Sequence, residues 1–333
     1  MSIDPVEAKR TVRSAVEECL ADLPRDARVL VAVSGGADSL ALAQAVALTD
    51  RPAAGAVIDH GLQADSAEVA ARAARECARV GLDPVVVERV DATSRGSGPE
   101  AAARDARRAA LEGIADRLDA VAILLAHTRD DQAETVLLRL ARGSGARSLA
   151  AMAPITGRWR RPLLDLPREV VRASAAGLDT WEDPHNIDPT YARTRVRHEA
   201  LPALVDALGP DVVAGLARSA RLLGDDADAL DALAREARDA LVAADGSLDA
   251  GGLADLPRAV RTRILRAAAI SAGCPAGSLT SAHVDRLEAL VSDWHGQGGV
   301  DLPGGLAGER SYGRLAIRRV PPVAERRRHE REE

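Results

Sequence analysis

Aromatic side chains are scarce in this chain of 333 residues, which contains three tryptophans, two tyrosines and no phenylalanine. Lysine is scarcer still, because Lys9 is the only one, so positively charged contacts must come from arginine. The cysteines Cys19, Cys77 and Cys274 lie far apart and form no CxxC pair, which argues against a disulfide framework and a thiolate metal site. A reducing cytoplasm is the simplest setting for such a chain.

Long apolar segments are missing as well. The first ten residues contain no apolar signal core, and the most apolar run, residues 40–48, is interrupted by Gln44 and is too short to span a bilayer. We therefore expect no secretory signal, no membrane partner and a cytoplasmic location. The length fits two domains, and the apolar fraction of 47% is enough for a sizeable core. The sequence leaves the oligomeric state open, a homodimer included.

Charge is distributed unevenly along the chain. The net charge of −6 argues mildly against a nucleic-acid partner, but the distribution of charge decides binding more than its sum. Residues 139–172 contain eight arginines and two acids. The arginines in and just after this stretch are Arg139, Arg142, Arg147, Arg158, Arg160, Arg161, Arg168, Arg172, Arg193, Arg195 and Arg197. This basic middle third fits a solvated surface as well as a site for a large anionic partner.

The first half of the chain alternates short apolar runs with helical patterns. Strands are predicted at residues 29–33 and 55–59, in PVVVERV and in AVAILLAH, and helices at residues 5–21, 38–48, 66–80, 99–118 and 130–142. The apolar runs are continuous, which is typical of strands covered on both faces. The pattern predicts a doubly wound α/β domain with a parallel sheet.

The second half is different. Residues 152–192 are rich in Pro, Arg and Asp and are predicted to form loops around one short helix near 167–176. The pattern from 193 to 291 is almost all helical, and the glycine pairs near the end separate short strands, which predicts a small β-hairpin unit. We expect domains at 1–205 and 206–320, followed by a disordered tail at 321–333.

The stretch SGGADS, residues 34–39, follows the first predicted strand. Two glycines before a helix start form a nest of backbone N–H groups that can hold phosphate. The stretch lacks the GKS or GKT ending of a Walker loop and does not match the dinucleotide fingerprint GxGxxG. A carboxylate in a phosphate nest needs a cation, so Asp38 indicates Mg²⁺. The alternative is a tight turn in which Asp38 only caps the helix.

A second polar cluster follows the fourth predicted strand, where open α/β sheets bind ligands. Asp131 and Glu134 are three residues apart and therefore share one face of the predicted helix, which begins near Asp130. Two carboxylates there could bind Mg²⁺ or a substrate amine, with His127 beside them. The alternative is that these acids only suit the helix dipole.

These stretches resemble known families. SGGADS is similar to the signature of the PP-loop ATP pyrophosphatases, which cleave ATP between the α and β phosphates and adenylate a substrate. The stretch from His127 to Gly145 resembles the H-x-x-D-D-Q-x-E-T and R-G-S-G blocks of the tRNA(Ile)-lysidine synthetase family, and similar blocks extend over about residues 28–205. The chain departs from the family pattern at Gln63, Arg108 and Thr194, where the family usually has Arg, Tyr and Asn.

The resemblance implies a reaction. In this family the O2 atom of a wobble cytidine in an isoleucine tRNA attacks the α-phosphorus of ATP, pyrophosphate leaves, and the ε-amine of lysine displaces AMP from C2. Residues 1–205 would then be catalytic, and residues 206–320 would bind tRNA. The residues implied to hold ATP are Ser34, Gly35, Gly36, Ala37, Asp38 and Ser39, with His60 near the adenine and Asp38 on Mg²⁺.

The resemblance also assigns the remaining polar residues. Asp131 and Glu134 are implied to hold the lysine amine, and His127 to accept a proton or contact phosphate. Arg104 or Arg107 would stabilise phosphate charge, because the planar guanidinium suits that geometry. Arg142, Arg193 and Arg197 are implied to hold the tRNA backbone or the lysine carboxylate, and Asp130 is implied to be a further contact with lysine or tRNA.

Three other functions compete with this interpretation. A tRNA thiolase of the same superfamily would usually carry a cysteine pair, which this chain lacks. A small-molecule synthetase that makes amides would not need the basic stretch or the helical second half. A nucleotide-binding module without catalysis would not need the carboxylates after the fourth strand.

Overall fold

The protein is described here as a computed structural model, which covers residues 3–59, 61, 65–90 and 99–320. The chain forms two compact units, Met1–Gly224 and Asp225–Glu333. The predicted ATP contact His60 and the predicted disordered tail, residues 321–333, lie outside the described residues.

The first unit alternates helices and strands. Its helices are α1 (Pro5–Cys19), α2 (Ala37–Ala47), α3 (Ser66–Val80), α4 (Pro99–Arg117), α5 (Arg129–Leu140), α6 (Ala146–Leu149), α7 (Arg168–Ser174), α8 (Ala192–Arg195) and α9 (Leu201–Leu208). Its strands are β1 (Val29–Val33), β2 (Ala53–Asp59), β3 (Val85–Arg89), β4 (Ala122–Leu124), β5 (Ile155–Thr156) and β6 (Trp159–Arg160). One π-helical turn, Val196–Ala200, joins α8 to α9.

The sheet of the first unit has the strand order β3-β2-β1-β4-β6-β5. All its pairs are parallel except the edge pair of β5 and β6. Every residue of β1 and β4 is buried, because helices cover both faces of the sheet. The predicted doubly wound parallel fold is therefore confirmed, with one short antiparallel strand at the edge.

The prediction of loops for residues 152–192 was wrong at β5 and β6. These two-residue strands form a hairpin through Gly157, and β6 pairs with β4. The ring of Trp159 in β6 is buried, its indole N–H donates to Glu112 Oε1 at 3.0 Å, and the Arg108 guanidinium lies 4.9 Å from the ring centroid. A strand this short has too few residues for a periodic pattern, so only its pairing with β4 defines it.

The helix α10 (Val212–Leu241) leads into the second unit. The remaining elements are β7 (Leu248–Asp249), α11 (Ala250–Asp255), α12 (Arg258–Ser271), α13 (Ser281–Ser292), β8 (Val300–Leu302), β9 (Leu306–Ser311) and β10 (Arg314–Arg319). The predicted hairpin is β9–β10, which lies inside a four-stranded antiparallel sheet of order β7-β10-β9-β8. Leu253, Leu265, Leu287 and Leu315 lie in the apolar core that joins this sheet to α11, α12 and α13.

No single helix in the described part of the chain is long and apolar enough to cross a membrane. The helical segments Ala192–Leu208 and Val212–Leu241 meet the length and composition criteria as a pair, with a bend of 101° between them.

Candidate active site at the carboxyl ends of β1 and β4

The two polar sequence motifs follow β1 and β4, which are neighbouring strands of the sheet. β1 pairs in parallel with β2 on one side and with β4 on the other, so the order of strands reverses between β1 and β4. The loops that follow β1 and β4 open a crevice at such a reversal, and open α/β sheets bind ligands there. Residues 34–36 form the loop after β1, and residues 125–128 form the loop after β4.

The glycine turn after β1 is held by its own side chains. Gly35 has a φ of +85°, a left-handed conformation that favours glycine. The Ser39 hydroxyl donates to the Gly36 carbonyl oxygen at 2.8 Å and accepts from the Ser34 backbone N–H at 3.2 Å. The hydroxyl proton of Ser39 is therefore used within the turn, and its contact with ATP stays a prediction. The turn leads into α2, whose first residue is Ala37.

A strap formed by residues 179–181 also holds the turn. The Trp181 backbone N–H donates to the Gly35 carbonyl oxygen at 2.9 Å. Two residues of α3 fix the strap: Glu76 accepts from the Asp179 N–H at 3.0 Å, and Arg72 Nε donates to Asp179 Oδ2 at 2.7 Å. The Gly35 carbonyl and the Gly36 N–H belong to one planar trans peptide and lie on opposite sides of it. The Trp181 contact with the carbonyl therefore also orients the Gly36 N–H toward the inside of the turn. This function of the strap was not predicted.

Replacing Gly35 by alanine should weaken ATP binding and destabilise the protein by about 1–2 kcal/mol, the cost of a left-handed conformation with a Cβ. The added Cβ would also lie 3.2 Å from the Ala73 Cβ, so the turn or α3 must move. The matched control is Gly177→Ala, because Gly177 has a φ of +88° and no atom within 4 Å of the added Cβ. Thermal unfolding and the KM for ATP measure both effects. An equal KM increase in both variants would contradict the prediction.

Asp38 presents a partly desolvated carboxylate beside this turn. Its side chain is 26% exposed, Oδ1 is buried without a hydrogen-bond partner, and Oδ2 lies 3.8 Å from Arg168 Nε. Burial raises the pKa of Asp38 to about 6, although the Arg168 charge opposes the shift. A buried carboxylate oxygen without a donor suits a hard cation such as Mg²⁺. The described residues contain no group of three acidic, His or Cys ligands, so phosphate and water oxygens would have to complete the shell.

Glu134 is the centre of an arginine cluster. Its side chain is fully buried, and its two oxygens accept hydrogen bonds from three guanidinium groups. Arg168 Nη1 lies 3.0 Å from Oε1, Arg197 Nε 2.7 Å from Oε1, and Arg193 Nε 2.9 Å from Oε2. Burial raises the pKa of Glu134, but the bond from Arg197 and the charge of Arg168 outweigh it and keep the pKa below its usual value.

Asp131 belongs to the same cluster, on the same face of α5. Its Oδ1 accepts from Arg168 Nη2 at 2.8 Å, and its Oδ2 accepts from the N–H and hydroxyl of Thr128 at 2.8 and 2.9 Å. Asp130 Oδ2 accepts from the Arg168 backbone N–H at 2.8 Å. The oxygens of Asp131 and Glu134 thus already have donors, and no oxygen of either is vacant for an amine in this arrangement. Holding the lysine amine stays a prediction for them.

Arg168, which was not predicted as a site residue, connects these groups. Its guanidinium contacts Asp131 and Glu134 and approaches Asp38, and it begins α7 directly after Pro167. Burial lowers the pKa of Arg168, but the two carboxylates outweigh it and raise the pKa. The only sequence signal was its position in the arginine-rich stretch of residues 139–172.

His127 is a neutral side chain at the end of the β4 loop. Its Nδ1 is buried without a hydrogen-bond partner. Burial lowers the pKa of His127 to about 4; the Asp131 carboxylate opposes the shift, whereas Arg161, Arg193 and Arg107 add to it. A group with so low a pKa is a weak base near neutral pH, so phosphate contact suits His127 better than proton abstraction.

The other predicted arginines lie in α4 and in the turn after α5. Burial lowers the pKa of Arg107 in α4, and within the described residues its guanidinium has no hydrogen-bond partner. Arg104 and Arg142 are exposed, and their charges, after burial, lower the pKa of Arg139. Arg139 itself donates to the Ala151 carbonyl and fixes the loop after α5. These cations therefore place positive potential beside His127 and the end of α5.

Comparison with known proteins decides the family. The PP-loop domain family matches residues 8–204, and the TilS substrate binding domain family matches residues 248–316. The tRNA(Ile)-lysidine synthase of Thermobifida fusca (strain YX) is 57% identical over 313 residues, which cover 92% of this chain and 96% of that protein. The chain belongs to the tRNA(Ile)-lysidine synthase family. Its PP-loop domain makes ATP the expected substrate.

Other members of the tRNA(Ile)-lysidine synthase family are similar over nearly the whole chain. The Rhodococcus erythropolis (strain PR4 / NBRC 100887) enzyme of that name is 45% identical and covers 95% of this chain and 98% of its own length. Among solved structures, the U34-tRNA thiolase NcsA from Methanococcus maripaludis matches with a TM-score of 0.54 at 18% identity, over 65% of this chain and 80% of that chain. That likeness shows the shared PP-loop fold alone.

Proposed function

We propose that this protein ligates lysine to C2 of the wobble cytidine of tRNA(Ile), with ATP cleaved to AMP and pyrophosphate. The cytidine O2 attacks the α-phosphorus, pyrophosphate leaves, and the lysine amine then attacks C2 and expels AMP. Membership of the family supports the proposal. The observation that carries it is the Asp38 carboxylate, whose buried Oδ1 has no hydrogen-bond partner, beside a glycine turn where the order of strands reverses.

The glycine turn is the proposed phosphate site. The strap contact fixes the Gly35 peptide before ATP arrives, so little ordering is needed on binding. Asp38 is the residue that would hold Mg²⁺. The ion, when bound, would offset the charge that develops on the departing pyrophosphate.

Arg107 and His127 are proposed to contact phosphate oxygens. An unpaired, partly buried guanidinium is a strong site for an anion, and a neutral imidazole can donate one N–H without adding a charge. Arg168 is proposed to position the acids and the metal-binding carboxylate with respect to each other, because it contacts Asp131 and Glu134 and approaches Asp38.

Lysine and tRNA are the remaining partners. Asp131 and Glu134 are retained as candidates for the lysine amine only if substrate binding draws an arginine away from them, since each of their oxygens has donors now. The exposed arginines Arg104 and Arg142 are proposed to contact the tRNA backbone. Residues 1–205 would carry catalysis and residues 206–320 tRNA binding. A homodimer stays a prediction.

A pyrophosphate-release assay with Mg²⁺ tests the proposal. We expect release only when an isoleucine tRNA transcript with a wobble cytidine is present, and a lysidine nucleoside by mass spectrometry only when lysine is added too. The matched control is the same transcript with a wobble uridine, which lacks the cytosine ring that is to be modified. Release without tRNA would indicate a small-molecule synthetase instead, and no release with any substrate would indicate a binding module.

A further inference from the structure

Tyr312 is placed where an aromatic side chain gains nothing from folding. The chain has only three tryptophans and two tyrosines. Trp159 is 6% exposed and Trp294 38%, whereas Tyr312 is 103% exposed. Burial of a ring is among the largest favourable contributions a side chain can make, so a chain with few rings loses stability by leaving one in solvent.

The backbone at Tyr312 is unfavourable too. Tyr312 and Gly313 form the two-residue turn between β9 and β10, with φ angles of +50° and +76°. Such turns strongly favour Asn-Gly or Asp-Gly, because a bulky side chain is strained in the left-handed region. Exposure and strain at the same residue indicate selection for binding rather than for stability.

The hairpin that carries the ring is basic. The hairpin β9–β10 contains four arginines and one acid, in a chain of net charge −6. The four are Arg310, Arg314, Arg318 and Arg319. Arg310 and Arg314 donate to Leu290 and Ser247. The side chain of Arg318, six residues along the chain from Tyr312, is 70% exposed and lies 3.6 Å from Asp245. Arg310 lies over the Trp294 ring at 5.2 Å from its centroid, so a second, half-exposed ring packs against this hairpin.

We infer that Tyr312 is a stacking platform for an unpaired base of the RNA substrate, with the exposed Arg318 and Arg319, at the other end of the hairpin, close to phosphates further along the RNA. The inference rests on the proposed function and adds a residue through which the second unit would bind RNA. Aromatic rings stack on every base, and arginines neutralise the backbone. A protein partner fits less well, because the tip is bordered by Ser311, Gly313 and Arg314 rather than by the apolar side chains of an interface core.

The test compares Tyr312→Asn with Tyr312→Phe. Asparagine removes the ring and tolerates the left-handed backbone, whereas phenylalanine keeps the ring. Binding of fluorescently labelled isoleucine tRNA to the full chain is measured by anisotropy at several salt concentrations. We expect the Asn variant to bind roughly 10-fold more weakly and the Phe variant within about 2-fold of wild type. The salt slope should not change, since no phosphate contact is lost.

Leu233→Gln is the matched control, because it removes another exposed apolar side chain, 53% exposed, from the second unit. It should leave RNA affinity unchanged. If the wild-type protein binds the tRNA and the Asn variant binds it equally well, the inference is overturned while the proposed function stands. If the Asn variant keeps its RNA affinity but changes its sedimentation, Tyr312 belongs to a subunit interface and the inference is also overturned. If the wild-type protein binds no tRNA, the proposed function itself fails.

Discussion

The Asp38→Asn variant is expected to lose ATP cleavage and yet to unfold at a higher temperature than the wild-type protein. Burial raises the pKa of Asp38 from 3.8 to about 6. A carboxyl with a raised folded pKa stabilises the fold fully below 3.8, and this contribution is lost as the pH rises through about 6. At neutral pH the native state therefore contains an unfavourable buried charge, which the neutral amide removes. The gain is about 3 kcal/mol, or a few degrees in Tm.

Calorimetry of both proteins between pH 4 and 8 measures this difference. It should shrink as the pH falls, because the wild-type carboxyl then becomes neutral as well. Burial lowers the pKa of His127 to about 4, so the neutral imidazole stabilises the fold above pH 6.5. This contribution of His127 is lost as the pH falls from 6.5 through 4. His127 is common to both proteins, so it largely cancels in the comparison. The exposed Asp226 gives the control Asp226→Asn, which should change neither activity nor Tm. Retained ATP cleavage by Asp38→Asn would contradict the assigned site.

The Glu134→Gln variant is expected to lose both stability and activity. The amide keeps the shape of the side chain but offers one acceptor oxygen and no charge to Arg168, Arg193 and Arg197, which now share four close N–H contacts with the carboxylate. Removing one partner from a buried ion pair leaves charges uncompensated and costs about 3 kcal/mol or more. The freed guanidiniums would also shift relative to Asp38, so turnover should fall.

Chemical denaturation and steady-state kinetics for lysine check this result. The control is Glu17→Gln, whose carboxylate is 49% exposed and pairs with Arg13 at 2.8 Å; an exposed pair contributes at most about 1 kcal/mol. The two roles of Glu134 predict different results. If its main role is to hold the amine, the KM for lysine rises and stability stays the same. If it organises the arginines, stability falls by more than in the control.

Local patterns predicted most of the first unit. The strand predicted at residues 29–33 and the helix predicted at 66–80 have those bounds in the structure. The fourth strand was predicted from AVAILLAH, yet only Ala122–Leu124 pairs as a strand, since the chain then turns away at the crevice. A continuous apolar run indicates a strand whose two faces are both buried. It does not show at which residue the pairing with the neighbouring strand ends.

The candidate site divides in the same way. The glycine turn and Asp38 could be predicted because a strand, two glycines and a helix start are consecutive in sequence. The arginine cluster could not, because Arg168 lies 37 residues from Asp131 and Arg197 lies 63 from Glu134. The acids alone suggested a site for an amine. That role stays a prediction, and in the structure the arginine partners make these acids part of a charged cluster.

By itself, the sequence determined the succession of the first four strands and the helices between them, the glycine turn and the placement of acids on one face of α5. Each of these depends on a periodicity or a dihedral preference that extends over a few residues. Only the tertiary structure decided which charges meet, that Trp181 holds Gly35 and that Asp38 Oδ1 lacks a donor. A buried charge must find its partner in space, and packing places residues far apart in sequence within hydrogen-bonding distance.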